Sequence, residues 1–106
     1  MPTPLSPQTI ALPEGLESYK RTPAFNKDTV PGGLRTDHAT KVGTWGLIRI
    51  ESGRLLYRVT DSRRDPLEII LTPDGPPGIV EPTILHNVLP MGPVSFYVEF
   101  LREAPK

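Results

Sequence analysis

The sequence predicts a small all-β domain, built as a sandwich or as a closed barrel. Short runs of apolar, β-branched and aromatic residues alternate with turns, and most of the 14 prolines and 9 glycines lie between these runs. Turns that recur about every 8–12 residues are typical of small all-β domains. Prolines interrupt each window in which a helical period could be tested, so no long helix is expected.

The chain is expected to form one domain, because 106 residues match the size of a single domain. The proline-rich segment 1–13 has no periodic pattern and is predicted to be an extended arm, whereas residues 14–106 are predicted to form a single β-barrel domain. Such an arm could cross onto a second subunit, and small barrels often need this additional burial. A homodimer is therefore expected.

Strand signals begin near Leu34 and continue to the end of the chain. Two runs, 44–50 and 54–60, are separated by Ser52-Gly53, and this pattern predicts a β-hairpin. Further strands are predicted over 67–72, 79–81, 84–89 and 94–101. With few helical candidates, these strands must bury their apolar faces against one another, as they do in a sandwich or barrel.

Composition excludes several classes of function. Twelve basic and twelve acidic residues give a formal net charge of zero, so no basic excess is present to bind nucleic-acid phosphates. No apolar run approaches the ~20 residues of a membrane span, and the N-terminus lacks the pattern of a secretory signal. The absence of cysteine excludes disulfides and thiolate metal sites, and it fits the cytoplasmic location that we expect.

The two histidines, His38 and His86, follow turn-rich segments and are separated by the predicted hairpin. Imidazole is the commonest metal ligand, and β-barrels often hold a ligand site in their mouths. The order of these segments resembles the layout of cupins, in which a first histidine motif is followed by a hairpin and then by a second histidine motif. Segment 78–86 has the form of the second cupin motif. In the first motif, Thr40 and Thr44 stand where cupins usually carry a second histidine and an acidic residue.

A closer resemblance rests on short motifs in order along residues 12–102. They include LPEGL at 12–16, YKRTPAF at 19–25, VPGGL at 30–34, DHATK at 37–41, GTWG at 43–46 and FYVEF at 96–100. Together they resemble the TehB/YeaR-like cupin domain, which occurs alone or at the N-terminus of tellurite-resistance methyltransferases. The resemblance implies a cupin-type double-stranded β-helix, also called a jelly-roll barrel, and a stress or tellurite-resistance role.

The resemblance also implies a bound divalent transition metal, zinc in the first place and iron, manganese or nickel as alternatives. Metal sites of this kind usually have three protein ligands, and a chain without cysteine must add oxygen donors to its two histidines. We therefore predict a metal site formed by His38 and His86 with Glu81, Glu99 or both. Asp37 is a weaker candidate, because an aspartate before a histidine is as often a turn residue.

Strand parity leaves the role of Glu99 open. If Phe96 and Val98 fill the barrel, Glu99 faces outward and could pair with an arginine such as Arg49 on a neighbouring strand. If Glu99 faces the cavity instead, a partner subunit must cover the phenylalanine face. The sequence does not choose between these arrangements.

Two functions remain open at this level. In the first, the metal has a free coordination position that polarises a small-molecule or oxyanion ligand. In the second, the domain is a non-catalytic module that senses a small molecule or regulates a partner, and its histidines are structural. No glycine-rich loop for S-adenosylmethionine is present, so methyltransferase activity is not expected of this chain. The sequence leaves open whether it is an enzyme.

Overall fold

The computed structural model describes residues 11–104, which form an antiparallel sheet of five strands and one short helix. The elements are β1 (Leu16–Arg21), α1 (Gly32–Arg35), β2 (Trp45–Val59), β3 (Leu67–Leu71), β4 (Gly78–Val80) and β5 (His86–Glu103). The strand order is β1-β5-β2-β3, and β4 pairs with β2 beside this path. The all-β prediction is confirmed. Most of the predicted arm 1–13 lies outside the described residues.

The central feature of the fold is the long pairing of β2 with β5, which runs from Trp45 opposite Leu101 to Val59 opposite His86. The predicted hairpin over 44–60 is wrong, because β2 continues through Ser52-Gly53 with irregular pairing instead of reversing there. The predicted strands 84–89 and 94–101 likewise join into the single strand β5.

Gly53 explains why this segment is a kink in a strand and not a turn. Its φ is +79°, a conformation that glycine adopts without steric cost. A Cβ atom at this position would lie 2.1 Å from the carbonyl oxygen of Pro93 in β5. Gly53 therefore allows the backbones of β2 and β5 to approach closely where both strands bend.

Of the remaining strands, two agree with the sequence prediction and one was not predicted. The predicted strands 67–72 and 79–81 are confirmed within one residue at either end as β3 and β4. Strand β1 was not predicted, because five of its six residues are exposed and give no apolar alternation. In the described range 11–104, no helix has the length and apolarity needed to cross a membrane.

The core is formed mainly by side chains from β2, β3, β4 and β5. Its most buried large side chains are Ile48, Leu55, Tyr57, Val80 and Phe96. Phe25, which precedes α1, forms a backbone bridge with Phe96, and the two rings pack edge to face at 5.8 Å. The segment between β1 and β2 is thereby fixed against β5, and it carries His38 toward the second histidine.

Candidate functional site

The two histidines lie side by side at the start of β5. The His38 amide donates to the His86 carbonyl oxygen at 3.0 Å, and the His86 amide donates to the His38 carbonyl oxygen at 2.9 Å. Their ring centroids are 4.1 Å apart with an interplanar angle of 54°. The fold therefore brings together two imidazoles that are far apart in the sequence.

Each imidazole is oriented by the backbone carbonyl two residues before it. Nδ1 of His38 lies 2.9 Å from the carbonyl oxygen of Thr36, and Nδ1 of His86 lies 3.0 Å from that of Ile84. A carbonyl oxygen only accepts hydrogen bonds, so each Nδ1 carries the hydrogen in these contacts. In a neutral ring, Nε2 is then the free acceptor, and this tautomer is the one that many metal-binding histidines adopt.

His86 is buried and uncharged at neutral pH. Burial lowers the pKa of its imidazole to about 4, and the hydrogen bond to Ile84 opposes this shift only in part. The edge of the Tyr57 ring packs against it at a centroid distance of 5.8 Å. Burial also raises the pKa of the Tyr57 phenol, so that this neighbour is neutral as well. The Tyr57 hydroxyl donates to the carbonyl oxygen of Ile79 at 2.8 Å.

Both histidines line a cavity of about 600 Å³. Most of its wall is apolar. The apolar side chains that line it include Phe25, Leu34, Ile48, Val80, Val88, Phe96, Val98 and Phe100. Thr22, Thr40 and Thr44 supply hydroxyl groups, and Lys20 and Lys41 supply the charged groups. None of the lining residues is an aspartate or a glutamate.

The two glutamates that the sequence proposed as metal ligands lie elsewhere. Glu81 accepts a hydrogen bond from Arg64 Nε at 2.8 Å and forms an ion pair with the same guanidinium. Glu99 accepts from Arg49 Nε at 2.9 Å, and this contact lowers the pKa of its carboxyl group. Neither side chain lines the cavity. The structure brings the two imidazoles together without these carboxylates.

The alternation of side chains between the two faces of β5 explains the position of Glu99. Phe96 and Val98 point into the core, with exposures of 0% and 9%, so the residue between Val98 and Phe100 must face the other side of β5. This is the outward arrangement that the sequence analysis considered. Within residues 11–104, no cluster of three or more histidine, cysteine, aspartate or glutamate side chains is arranged to hold a metal.

Asp37 belongs to a polar network beside the site. Its carboxylate accepts a hydrogen bond from the side-chain Nδ2 of Asn87 at 2.8 Å, which is the main cause of the lowered pKa of Asp37. The side-chain Oδ1 of Asn87 accepts from Arg58 Nε at 2.9 Å. This network links the residue before His38 to the residue after His86, and it therefore helps to hold the two histidines together.

A second network supports the turn that precedes His86. The buried carboxylate of Asp61 accepts hydrogen bonds from the Leu85 amide at 3.0 Å and from the Arg63 guanidinium at 2.8 and 2.9 Å. The same guanidinium donates to the carbonyl oxygen of Thr83. The backbone of Thr83 has a φ of +67°, in the left-handed region. In the sequence, Arg63 stands in a turn of mixed charge, a pattern that predicts a solvated face. Its contact with Thr83 was not visible there, because Thr83 lies 20 residues away on another turn.

The contribution of β1 to the site was not predicted from the sequence. Lys20 and Thr22 line the cavity only because β1 pairs with β5. The exposed pattern of β1 gave no signal that this segment forms a strand. Lys41, by contrast, is close to His38 in sequence and could be considered on that ground.

Comparison with known proteins identifies relatives of the chain. Residues 20–98 match the TehB-like domain family. The chain is 38% identical over 71 residues to the "Probable S-adenosyl-L-methionine-dependent methyltransferase TehB" of Haemophilus influenzae strain KW20/Rd. This alignment covers 66% of the chain and 25% of the relative, so the chain aligns with about a quarter of the length of that protein.

Solved structures agree with this relationship. The crystal structure of TehB from Haemophilus influenzae superposes with a TM-score of 0.77 at 30% identity, over 85% of this chain and 32% of that one. A protein from Escherichia coli strain K12 superposes with a TM-score of 0.78 at 21% identity, over 92% of this chain and all of that one, which shows a shared fold. The chain belongs to the TehB-like domain family.

Proposed function

We propose that this domain binds a small molecule in the cavity beside His38 and His86, in a stress or tellurite-resistance role of the kind that the family suggests. The observation that carries the proposal is the wall of the cavity, which is mostly apolar and contains two adjacent imidazoles. Small-molecule sites are typically concave and apolar with a few convergent polar groups. A volume of about 600 Å³ lies within the usual range for such sites.

Different residues of the site would contact different parts of the ligand. The phenylalanine and aliphatic side chains exclude water and pack against the body of the ligand. Nε2 of His86 is an acceptor at neutral pH, because Nδ1 is hydrogen-bonded to Ile84 and the ring is uncharged. The hydroxyls of Thr22 and Thr40 donate to the carbonyl oxygens of Pro23 and Thr44, so toward a ligand they can only accept. These groups can bind and orient a molecule.

Thermal unfolding with small probes tests this function. We expect hexanoate, 1-hexanol, benzoate or indole to raise the Tm of the wild-type protein, because a ligand that binds only the folded state stabilises it by mass action. His38→Ala should weaken the effect, since it removes a side chain from the cavity wall. Glu68→Ala, on the exposed side of β3, is the matched control. Failure of all four probes at millimolar concentration would count against a ligand-binding cavity.

A divalent metal held by His38 and His86 is a second candidate function. The observation that favours it is the pair of Nδ1 contacts to backbone carbonyls, which leaves both Nε2 atoms free. The donor set fits only two coordination positions, because Glu81 and Glu99 are paired with arginines. Water or a ligand would have to supply the other donors. A metal bound there would supply Lewis-acid chemistry.

Metal binding can be measured directly with Zn²⁺ and Co²⁺. We expect about one ion per chain, a Tm that falls on chelation, and loss of both effects in His38→Ala and His86→Ala. Glu81→Gln and Glu99→Gln serve as controls and should bind the metal as the wild type does. A metal content far below one per chain that neither histidine variant alters would contradict a metal role.

The homodimer and the cytoplasmic location stay predictions. Light scattering after size-exclusion chromatography would measure the mass in solution. A mass close to the 11.7 kDa of one chain would contradict the dimer.

A further inference from the structure

We infer that the ligand of this cavity is an organic anion, with an apolar body inside the cavity and its negative group at a mouth formed by Lys20 and Lys41. The inference rests on the proposed ligand-binding function and specifies its substrate class. It is carried by the charges of the lining residues, their place in the sheet and the apolar character of the remaining wall.

The cavity wall carries charge of one sign only. Lys20 and Lys41 are both lining residues, and no aspartate or glutamate accompanies them. The ion pairs formed within residues 11–104 use Lys27 and arginines, and neither Lys20 nor Lys41 takes part in them. Elsewhere in the described chain, carboxylates such as Glu81 and Glu99 are matched by arginines. The two lysines are therefore available to a ligand.

Both lysines lie near the start of β2, one through strand pairing and the other in the preceding turn. Lys20 in β1 is opposite Phe100 in β5, and Phe100 is opposite Gly46 in β2. Lys41 lies just before β2, where its carbonyl oxygen accepts a hydrogen bond from the Thr44 amide at 3.1 Å. Both lysines are exposed residues that also line the cavity, which is the arrangement of a side chain whose stem covers apolar surface while its ammonium stays in water.

The rest of the wall favours a ligand with an apolar body over an inorganic oxyanion. Behind the lysines, the cavity is lined by Phe25, Phe96 and Phe100 together with aliphatic side chains, and Phe96 is fully buried. A small oxyanion such as tellurite would lose its hydration there without enough donors to replace it, and burying an unpaired charge is costly. A carboxylate with a hydrocarbon body leaves its charge at the mouth and fills the apolar part.

The experiment measures the affinity of matched carboxylates and alcohols by calorimetry. Butanoate, hexanoate and octanoate are compared with the alcohols of the same chain length and with tellurite. In the wild type we expect the Kd to fall about fourfold for each added methylene group, since each buries more apolar surface. We also expect octanoate to bind about tenfold more tightly than 1-octanol, and this advantage should shrink as salt is added.

Lysine variants separate the charge from the cavity. In Lys20→Met with Lys41→Met, octanoate should bind about as weakly as 1-octanol, whereas the affinity for 1-octanol should change less than about twofold, because methionine retains an apolar stem. Lys27→Met is the matched control, since Lys27 pairs with Asp28 on the surface and does not line the cavity. It should keep the preference for octanoate.

The outcomes distinguish failure of the inference from failure of the proposed function. Equal affinity for alcohols and carboxylates in the wild type would overturn the anion inference and leave a ligand-binding cavity standing. The anion inference would also be overturned if the double lysine variant kept the preference for octanoate, or if tellurite bound more tightly than every carboxylate. If neither alcohols nor carboxylates bind, the inference and the proposed function both fail.

Discussion

Acidification should destabilise this domain through His86 before its carboxylates are protonated. The imidazole is 4% exposed, and burial lowers its pKa from the ordinary value of 6.5 to about 4. Below about pH 6.5 the unfolded chain takes up a proton that the folded chain does not accept until about pH 4. Stability that is fully present above pH 6.5 is therefore lost progressively as the pH falls through this window.

The size of the effect follows from the difference between the two pKa values. Each tenfold difference in proton affinity between the folded and unfolded states is worth about 1.4 kcal/mol, so the whole difference amounts to about 3 kcal/mol at pH 4. About 2 kcal/mol of this should already be lost at about pH 5. Urea unfolding followed by the fluorescence of Trp45, the single tryptophan, measures the free energy of unfolding at each pH.

His86→Asn is the matched control for this prediction. The asparagine amide can donate to the Ile84 carbonyl in place of Nδ1, but it does not titrate. We expect the variant to be less stable than the wild type at about pH 7.5 and to lose much less stability between pH 7.5 and 5. Parallel pH profiles of the two proteins would refute the reasoning, because His86 would then not be buried in its neutral form.

Three further predictions concern the turns and contacts that shape the site. Gly53→Ala should lower the free energy of unfolding clearly more than Gly15→Ala does, although both glycines have positive φ, because only the Cβ at position 53 meets a backbone oxygen. The backbone strain at position 15 alone is worth about 1–2 kcal/mol. Equal losses for the two variants in urea unfolding would contradict the close approach at Gly53. Tyr57→Phe should lower the free energy of unfolding by about 1 kcal/mol, since it removes the buried hydroxyl that donates to Ile79, and an unchanged urea midpoint would speak against that bond. Glu99→Gln should cost less than about 1 kcal/mol at neutral pH, because the ion pair is partly exposed. The difference from wild type should shrink once the pH falls below the ordinary Glu pKa of 4.5 and vanish only below the lowered pKa of the folded carboxyl group; a loss that persists at still lower pH would argue against the ion pair.

Local patterns in the sequence were sufficient to predict the fold class and one face of the last strand. Prolines and glycines mark the breaks between strands, and alternation places Phe96 and Val98 on the same side. The short motifs in order along residues 12–102 indicated the family, which the match over residues 20–98 confirms. Each of these inferences depends on neighbours within a few residues, and the side-chain period of a strand is a local property.

Pairing between distant segments decided the rest. A Ser-Gly dipeptide fits a hairpin turn and a bulge equally well, and only the approach of Pro93 makes Gly53 a kink in β2. The sequence offered Arg49 as a possible partner of Glu99 on a neighbouring strand, and the structure forms this pair. It offered no partner for Glu81, since Arg64 reaches that carboxylate across the fold.

The sequence by itself determined that this is an all-β member of its family with two histidines and few other candidate ligands. Only the tertiary structure decided that the imidazoles lie against each other and that both glutamates pair with arginines outside the cavity lining. It also decided that Lys20 joins the cavity from a strand with no apolar signal. The physical reason is that burial and hydrogen bonding between strands depend on which segments pair. A strand's own residues fix its two faces, but they do not fix the segment that lies opposite.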